Sequence, residues 1–267
     1  MSDKELAHQS VEYRRKILKY IHQANAGHTG GSLSCIDILN VLYNHTMNVD
    51  AENFNSPDRD RYIQSKGHTV EALYVVLASK GFFPETDLET LCQYKSHYIG
   101  HPTRKVHGVE QNTGALGHGL SLSVGTAIAG KLDKKDYRVF TLLGDGELPE
   151  GSNWEAALFI AHHNLHRVTL LIDRNDLQGF GRTGEVANME PFGDKFRAFG
   201  FEVLSIDGHD PRELHRAVTQ QSGLPKVIIM RTVKGHGVSF MEDKMEWHYL
   251  PLTKEQYRLA VDEVERA

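Results

Sequence analysis

Two residues at the ends of apolar runs have the chemistry of a hard-cation site. Asp145, in Gly144-Asp145-Gly146-Glu147, follows Arg138-Val139-Phe140-Thr141-Leu142-Leu143. Asn175, in Asp173-Arg174-Asn175-Asp176, follows Val168-Thr169-Leu170-Leu171-Ile172. Cations such as Mg2+ take oxygen ligands in an octahedron and keep positions for phosphate and water. One carboxylate, one amide oxygen and a loop carbonyl supply half of that shell, which leaves room for two diphosphate oxygens and a water. Gly144 and Gly146 let the backbone approach phosphates closely, and the N–H groups near Gly151 and Ser152, before the next helix, suit an anion. Gly-Asp-Gly alone is an ordinary turn composition. The partner Asn175 changes that reading. Residues 147–174 between them, 28 positions, hold one helix and one buried strand.

Histidine is the second chemical feature, with 16 in the chain. His28 lies in Gly27-His28-Thr29-Gly30-Gly31-Ser32, His68 in Ser65-Lys66-Gly67-His68 and His101 in Gly100-His101-Pro102, each in or beside a glycine-containing turn. Imidazole titrates near neutrality and suits the transfer of protons between hydroxyls and alkoxides. His8, His22, His162, His163, His166 and His215 read as surface or structural residues. Zinc is disfavoured, because there is no HExxH and no paired-cysteine spacing and the metal ligands above are oxygens.

These residues need a scaffold, and the composition is that of an ordinary folded chain: 267 residues, 40% hydrophobic and 24% charged. A formal charge of −5 argues against nucleic acid as partner. No apolar run approaches the roughly 18 residues of a membrane span, and the start, MSDKELAHQS, reads as neither a signal nor a transit peptide. Cys35 and Cys92 lack CxxC spacing, which fits a reducing compartment and a cytoplasmic expectation. Periodicity in Leu6, Val11, Ile17, Leu18 and Ile21 predicts a helix over 3–24. A glycine loop over 25–32 and a helix over 34–44, N-capped by Ser34, follow. Further on come a strand at 61–64, a turn at 65–68, a helix over 69–80 and a Gly-rich loop from 110 that enters a small-residue helix at 121–130. The strands at 138–143 and 168–172 flank a helix at 152–163. Those at 201–206 and 226–231 flank an amphipathic helix at 210–220, and a polar helix covers 253–267. This alternation predicts a single α/β domain over 1–267, three layers α/β/α with a mainly parallel sheet, and ligands outside the carboxyl ends of its strands.

The chain resembles the N-terminal, diphosphate-binding domain of the transketolases over nearly its whole length. The matching stretches are Gly27–Ser32, Ser65–His68, Gly100–Pro102, Thr113–Gly119, Gly144–Gly151 with Trp154-Glu155-Ala156-Ala157, Asp173-Arg174-Asn175 and Lys234–Glu242. Gly-Asp-Gly with its distant Asn is the thiamine diphosphate fingerprint. Phe240-Met241-Glu242 followed by Trp247-His248 resembles the split, two-subunit transketolases. The resemblance implies that Asp145, Asn175 and the Leu177 carbonyl hold Mg2+, or Ca2+ or Mn2+ in its place. It implies that His68, Gly114, Leu116 and Gly146 line the thiamine diphosphate, that Glu150 joins a carboxylate network reaching the partner, and that His28 and His101 face the sugar hydroxyls. Thr29 and Ala115 stand where the family has proline, and His118 where glutamine is common. Of two family histidines three apart, only His248 has a counterpart, with Met245 at the other position. Whether His236 supplies the missing imidazole is left open.

The chain ends at Ala267 after the polar helix. The resemblance therefore implies that the pyrimidine-binding and C-terminal domains, with the cofactor-activating glutamate, belong to a separate chain in a two-plus-two heterotetramer. The implied function is transfer of a two-carbon ketol unit from a ketose, expected to be phosphorylated, to an aldose, only with that partner. The alternatives are a subunit of another thiamine diphosphate enzyme (deoxyxylulose-phosphate synthase-like or 2-oxo acid dehydrogenase-like) and a non-catalytic regulatory subunit. Glu147–Gly151 with Trp154-Glu155-Ala156 favours transketolase over other enzymes of the cofactor, and the Asp145/Asn175 pair speaks against a non-catalytic role. The sugar and its pathway are not legible.

Overall fold

In the computed structural model, which describes residues 1–266, the five expected strands form one parallel sheet. They are β1 (Arg61–Gln64), β2 (Val139–Gly144), β3 (Val168–Arg174), β4 (Glu202–Asp207) and β5 (Lys226–Arg231), in the order β1-β2-β3-β5-β4. β2 and β3 are central and buried on both faces, which explains their uninterrupted apolar runs.

Helices cover both faces. On one lie α1 (Asp3–Ala24), α2 (Thr29–Val41), α3 (Val70–Ser79), α8 (Pro211–Thr219) and α9 (Lys254–Val264). On the other lie α4 (Gly119–Leu132), α5 (Gly151–His162) and α7 (Phe192–Phe199), and the short α6 (Thr183–Val186) precedes α7. The expected three-layer architecture is the one observed. α1 starts at a capping box, in which Glu5 N–H donates to Ser2 Oγ and Ser2 N–H to Glu5 Oε2, and ends at Asn25 in the left-handed region. No described helix is long and apolar enough to cross a membrane.

The second helix departs from its expected bounds. It begins at Thr29, so Gly30 and Gly31 lie inside it, and a π turn at Leu42–Thr46 replaces its end. The glycines there serve close approach. A Cβ on Gly30 would lie 2.9 Å from Trp247 O, and one on Gly31 2.7 Å from Thr69 Cγ2. Ser34 is not an N-cap. It is buried one turn in, with Oγ 2.6 Å from Asp173 Oδ2 and 2.9 Å from Gly31 O.

Candidate functional site

β2 and β3 run in register with Gly144 opposite Asp173, so their loops leave the sheet side by side. Asp145 is 2% exposed. Its Oδ1 accepts Gly146 N–H at 2.8 Å, and its Oδ2 accepts Asp176 N–H, from the other loop, at 2.6 Å. Asn175 Oδ1 accepts Leu177 N–H at 3.2 Å, and Asn175 Nδ2 lies 3.4 Å from Ser34 Oγ. Burial, and then the charge of Asp173, push the Asp145 carboxyl up to about 6. A buried carboxylate disfavoured as a bare anion, beside an amide oxygen and a backbone carbonyl, is an oxygen donor set that fits a hard divalent cation.

The cavity over these loops measures about 570 Å³. His68, Gly114, Leu116, Gly146, Glu150, Leu177 and His248 line it together with Asp145 and Asn175, and Phe180, 87% exposed, is at its rim. His28 and His101 extend the imidazole side. Ring centroids lie 5.2 Å apart for His28 and His68, 6.0 Å for His28 and His101, 5.4 Å for His28 and His248, and 5.3 Å for His68 and His248. His28 Nδ1 is buried without a hydrogen-bond partner among the described residues. A cavity that combines a cation-suited donor set, apolar lining and the imidazoles of His68 and His248, with the unsatisfied His28 ring packed against both, can take an anionic ligand together with a hydroxyl-bearing substrate.

Residues 7–264 match the family described as transketolase, thiamine diphosphate binding domain. The chain belongs to the transketolase family.

The chain is 44% identical over 259 residues, 96% of its own length and 92% of the relative's, to an apulose-4-phosphate transketolase subunit of Phocaeicola vulgatus. It is 41% identical over 266 residues, covering 98% of this chain and 97% of the relative, to 6-deoxy-6-sulfo-D-fructose transketolase subunit SqwG of a Clostridium species. It superimposes on the crystal structure of Campylobacter jejuni transketolase with a TM-score of 0.92 at 33% identity, covering 98% of this chain and 43% of that one. The chain thus spans about two fifths of a full-length transketolase and nearly all of the two shorter relatives. It is an enzyme chain of transketolase type.

Several residues to which the transketolase motifs alone assigned no role are part of the site. Lys234, 2% exposed, donates through Nζ to Leu177 O at 3.1 Å and to His248 Nδ1 at 3.0 Å. An ammonium has no acceptor, so His248 accepts at Nδ1 and carries its proton on Nε2. Lys66 forms a buried ion pair with Asp173. Both lysines follow the carboxyl ends of strands, where a parallel sheet places ligands, and that position was the available signal. Glu147 is the buried carboxylate of its motif. It accepts from Ser65 Oγ, from Gly117 N–H at 2.8 Å and from Gly144 N–H at 3.2 Å, tying three loops together, whereas Glu150 is exposed at the rim.

His236 lies away from the imidazole cluster, stacked on His209 with centroids 3.7 Å apart. His209 Nδ1 meets Asp37 Oδ2 at 2.7 Å and its Nε2 accepts Val233 N–H at 2.9 Å, so neither nitrogen is free for a metal. His236 therefore does not supply the missing transketolase imidazole. The structural reading of His22 suits its position, where Nδ1 meets Leu252 O at 2.9 Å and the ring stacks on Tyr257.

The cluster predicts acid lability. Burial, then neighbouring His248 and His101 and the two lysines, pushes His28 down to about 3. Burial, then Lys234, pushes His248 down to about 4. Burial likewise lowers His68 and His101, and burial with His209 lowers His236 to about 4. Unfolded imidazoles protonate near their ordinary value of about 6.5, so the unfolded chain binds more protons between about pH 6.5 and 4. Stability is then complete above that window and falls by about 1.4 kcal/mol per pH unit for each proton taken up. Glu71, raised to about 7 by burial, and Asp145 and Glu147, which burial also raises, act in the opposite sense but are fewer than these five lowered imidazoles. The urea midpoint of the cofactor-free chain should fall steeply from pH 6.5 to 4, and less steeply in His28→Asn/His248→Gln. Equal slopes in the two proteins would contradict this account.

Proposed function

We propose that this chain is the cofactor-holding subunit of a two-chain transketolase that moves a two-carbon ketol unit from a ketose to an aldose. The observation that carries the reading is the convergence of Asp145 and Asn175 on adjacent strand ends, under a cavity whose wall includes His68 and His248, with His28 and His101 in the same imidazole cluster. Asp145, Asn175 and the Leu177 carbonyl would hold Mg2+, with Ca2+ or Mn2+ as substitutes. His68, Gly114, Leu116 and Gly146 would line the diphosphate and thiazolium. Bound there, thiamine diphosphate supplies the electron sink for breaking a C–C bond beside a ketose carbonyl. His28 and His101 would hold the sugar hydroxyls and exchange protons with them, and His248 would offer Nε2–H from the same wall. Lys234 keeps His248 in that tautomer. Glu150 would meet a carboxylate of the partner.

The partner would carry the pyrimidine-binding domain and the activating glutamate, in a cytoplasmic two-plus-two assembly. Support comes from the two relatives named as transketolase subunits, which are matched almost end to end. Their names point to branched-sugar phosphates and sulfosugars as donor classes worth testing beside pentose phosphates. The test is reconstitution with a complementary chain encoded alongside, thiamine diphosphate and Mg2+, using these ketoses and pyruvate as donors. Transfer of a two-carbon unit from a ketose should need both chains. Full-rate transfer by this chain alone, or turnover of pyruvate but no ketose, would overturn the proposal.

A further inference from the structure

α3 is apolar and buried throughout its first two turns except at one position. Val70, Ala72, Leu73, Val75 and Val76 are each at most 2% exposed, and between them Glu71 is 1% exposed. A carboxylate in such surroundings is costly unless its oxygens are used, and leucine would pack there at lower cost. No cation is among the groups that act on Glu71. Its oxygens go to the His28 loop instead: Oε1 accepts His28 N–H at 3.3 Å and Oε2 accepts Ser32 Oγ–H at 2.9 Å. The carboxylate is pressed against Gly27, where a Cβ would lie 2.7 Å from Oε1. α2, whose N-cap is His28, has no side-chain cap of its own, so Glu71 closes its first turn from outside. Three residues along the same face of α3, Tyr74 Oη donates to His101 O at 3.2 Å.

We infer that Glu71 and Tyr74 are positioning residues: from one face of α3 they grip the backbones of His28 and His101 and so set the two sugar-facing imidazoles against each other. The inference rests on the transketolase reading for the statement that these imidazoles meet sugar. It adds that neither residue touches substrate or cofactor and that both act through the main chain. A displacement of about 1 Å in a reacting group can lower rates on the order of a hundredfold, so the hold matters even where the fold survives without it.

Glu71→Ala, Glu71→Gln and Tyr74→Phe separate this role from mere stability. In the reconstituted complex, Glu71→Ala should lower kcat/KM for the ketose by about 30-fold, and Tyr74→Phe by about 5-fold. Thiamine diphosphate affinity, measured by calorimetry with Mg2+, should stay within about twofold of the parent. Glu71→Gln should recover to within about threefold, because its amide oxygen still accepts His28 N–H and the Ser32 hydroxyl can turn to accept from its NH2. In hydrogen–deuterium exchange on the chain itself, peptides over 25–33 should exchange faster in Glu71→Ala while β2 and β3 keep their protection. Unchanged kcat/KM and loop exchange in Glu71→Ala, or a Glu71→Gln as impaired as Glu71→Ala, would overturn the inference. If Glu71→Ala loses protection throughout the sheet, the decision passes to Tyr74→Phe, where parental kcat/KM overturns it. If the parental complex transfers no two-carbon unit, it is the functional reading that fails. Loop exchange then decides alone, with faster exchange supporting the hold and unchanged exchange refuting it.

Discussion

Asp145→Asn should lose thiamine diphosphate while keeping the fold. The side chain is the one anionic donor of the proposed set, beside Asn175 and the Leu177 carbonyl, and a hard divalent cation relies on that charge. Removing even an outer-shell partner of a metal costs about 10–100-fold in affinity. Loss of the carboxylate itself should therefore weaken Mg2+-dependent cofactor binding by at least about a hundredfold. The cofactor-free fold should hardly notice. Burial and Asp173 already oppose ionisation of Asp145, so the neutral amide relieves a buried charge. Against that gain stands the loss of one acceptor for Gly146 N–H or Asp176 N–H, worth about 1–3 kcal/mol if left unmade. The two effects oppose, and Tm without cofactor should move by only a few degrees. Calorimetric titration with Mg2+ present, beside thermal melts without it, reads both arms. Undiminished binding would remove Asp145 from the metal site, and a collapsed Tm would make its role structural.

The sheet was legible because burial writes itself into composition. β2 and β3 are apolar runs bounded by Asp, Gly and Asn, and their adjacency follows from the right-handed crossover that α5 makes between them. The Asp145/Asn175 junction was legible for the same reason, since each residue lies within three positions of the end of a buried apolar run. Three things were not. The start of α2 was hidden because glycine signals a turn as readily as it signals close approach, and only the neighbours Trp247 and Thr69 decide which. α7 was missed: Phe192 and Phe196 form its buried stripe, but eight residues are a short window for a helical period. Strand-end position marks Lys66 and Lys234 as close to the site, but what they, Glu71 and Glu147 do there was not legible, because each acts on a residue elsewhere in the chain: Asp173, His248, His28 and Gly117. A charged residue among apolar neighbours, as Glu71 is, signals function without naming its partner.

The other large expected effect is on stability. Lys66 and Asp173 are 1% and 0% exposed and form an ion pair where β1 and β3 end. Asp173 also accepts from Ser34 Oγ at 2.6 Å and from Thr232 Oγ1, so its oxygens are fully engaged. Burial acts against both charges. Even so, the attraction of Asp173 holds Lys66 above its ordinary value, and that of Lys66 with the hydroxyls holds Asp173 below its own. Lys66→Met fills much the same space but strands a buried carboxylate. Breaking such a pair from one side costs about 3–5 kcal/mol, which for a domain of this size lowers Tm by roughly 10 °C. The pH dependence should invert as well. In the parent, Asp173 is depressed below its unfolded value and contributes stability that is lost as pH falls. In the variant its carboxyl rises above the unfolded value, so the deficit should be greater at pH 8 than at pH 5. Replacing both members, as Lys66→Met/Asp173→Asn, should recover much of the loss, because no buried charge is left without a partner and the amide oxygen can still accept from a neighbouring hydroxyl. Urea melts of the parent and the two variants at the two pH values test this directly. A Lys66→Met no less stable than the parent at pH 8, or a double variant as unstable as the single, would mean that the pair does not carry the junction between these strand ends.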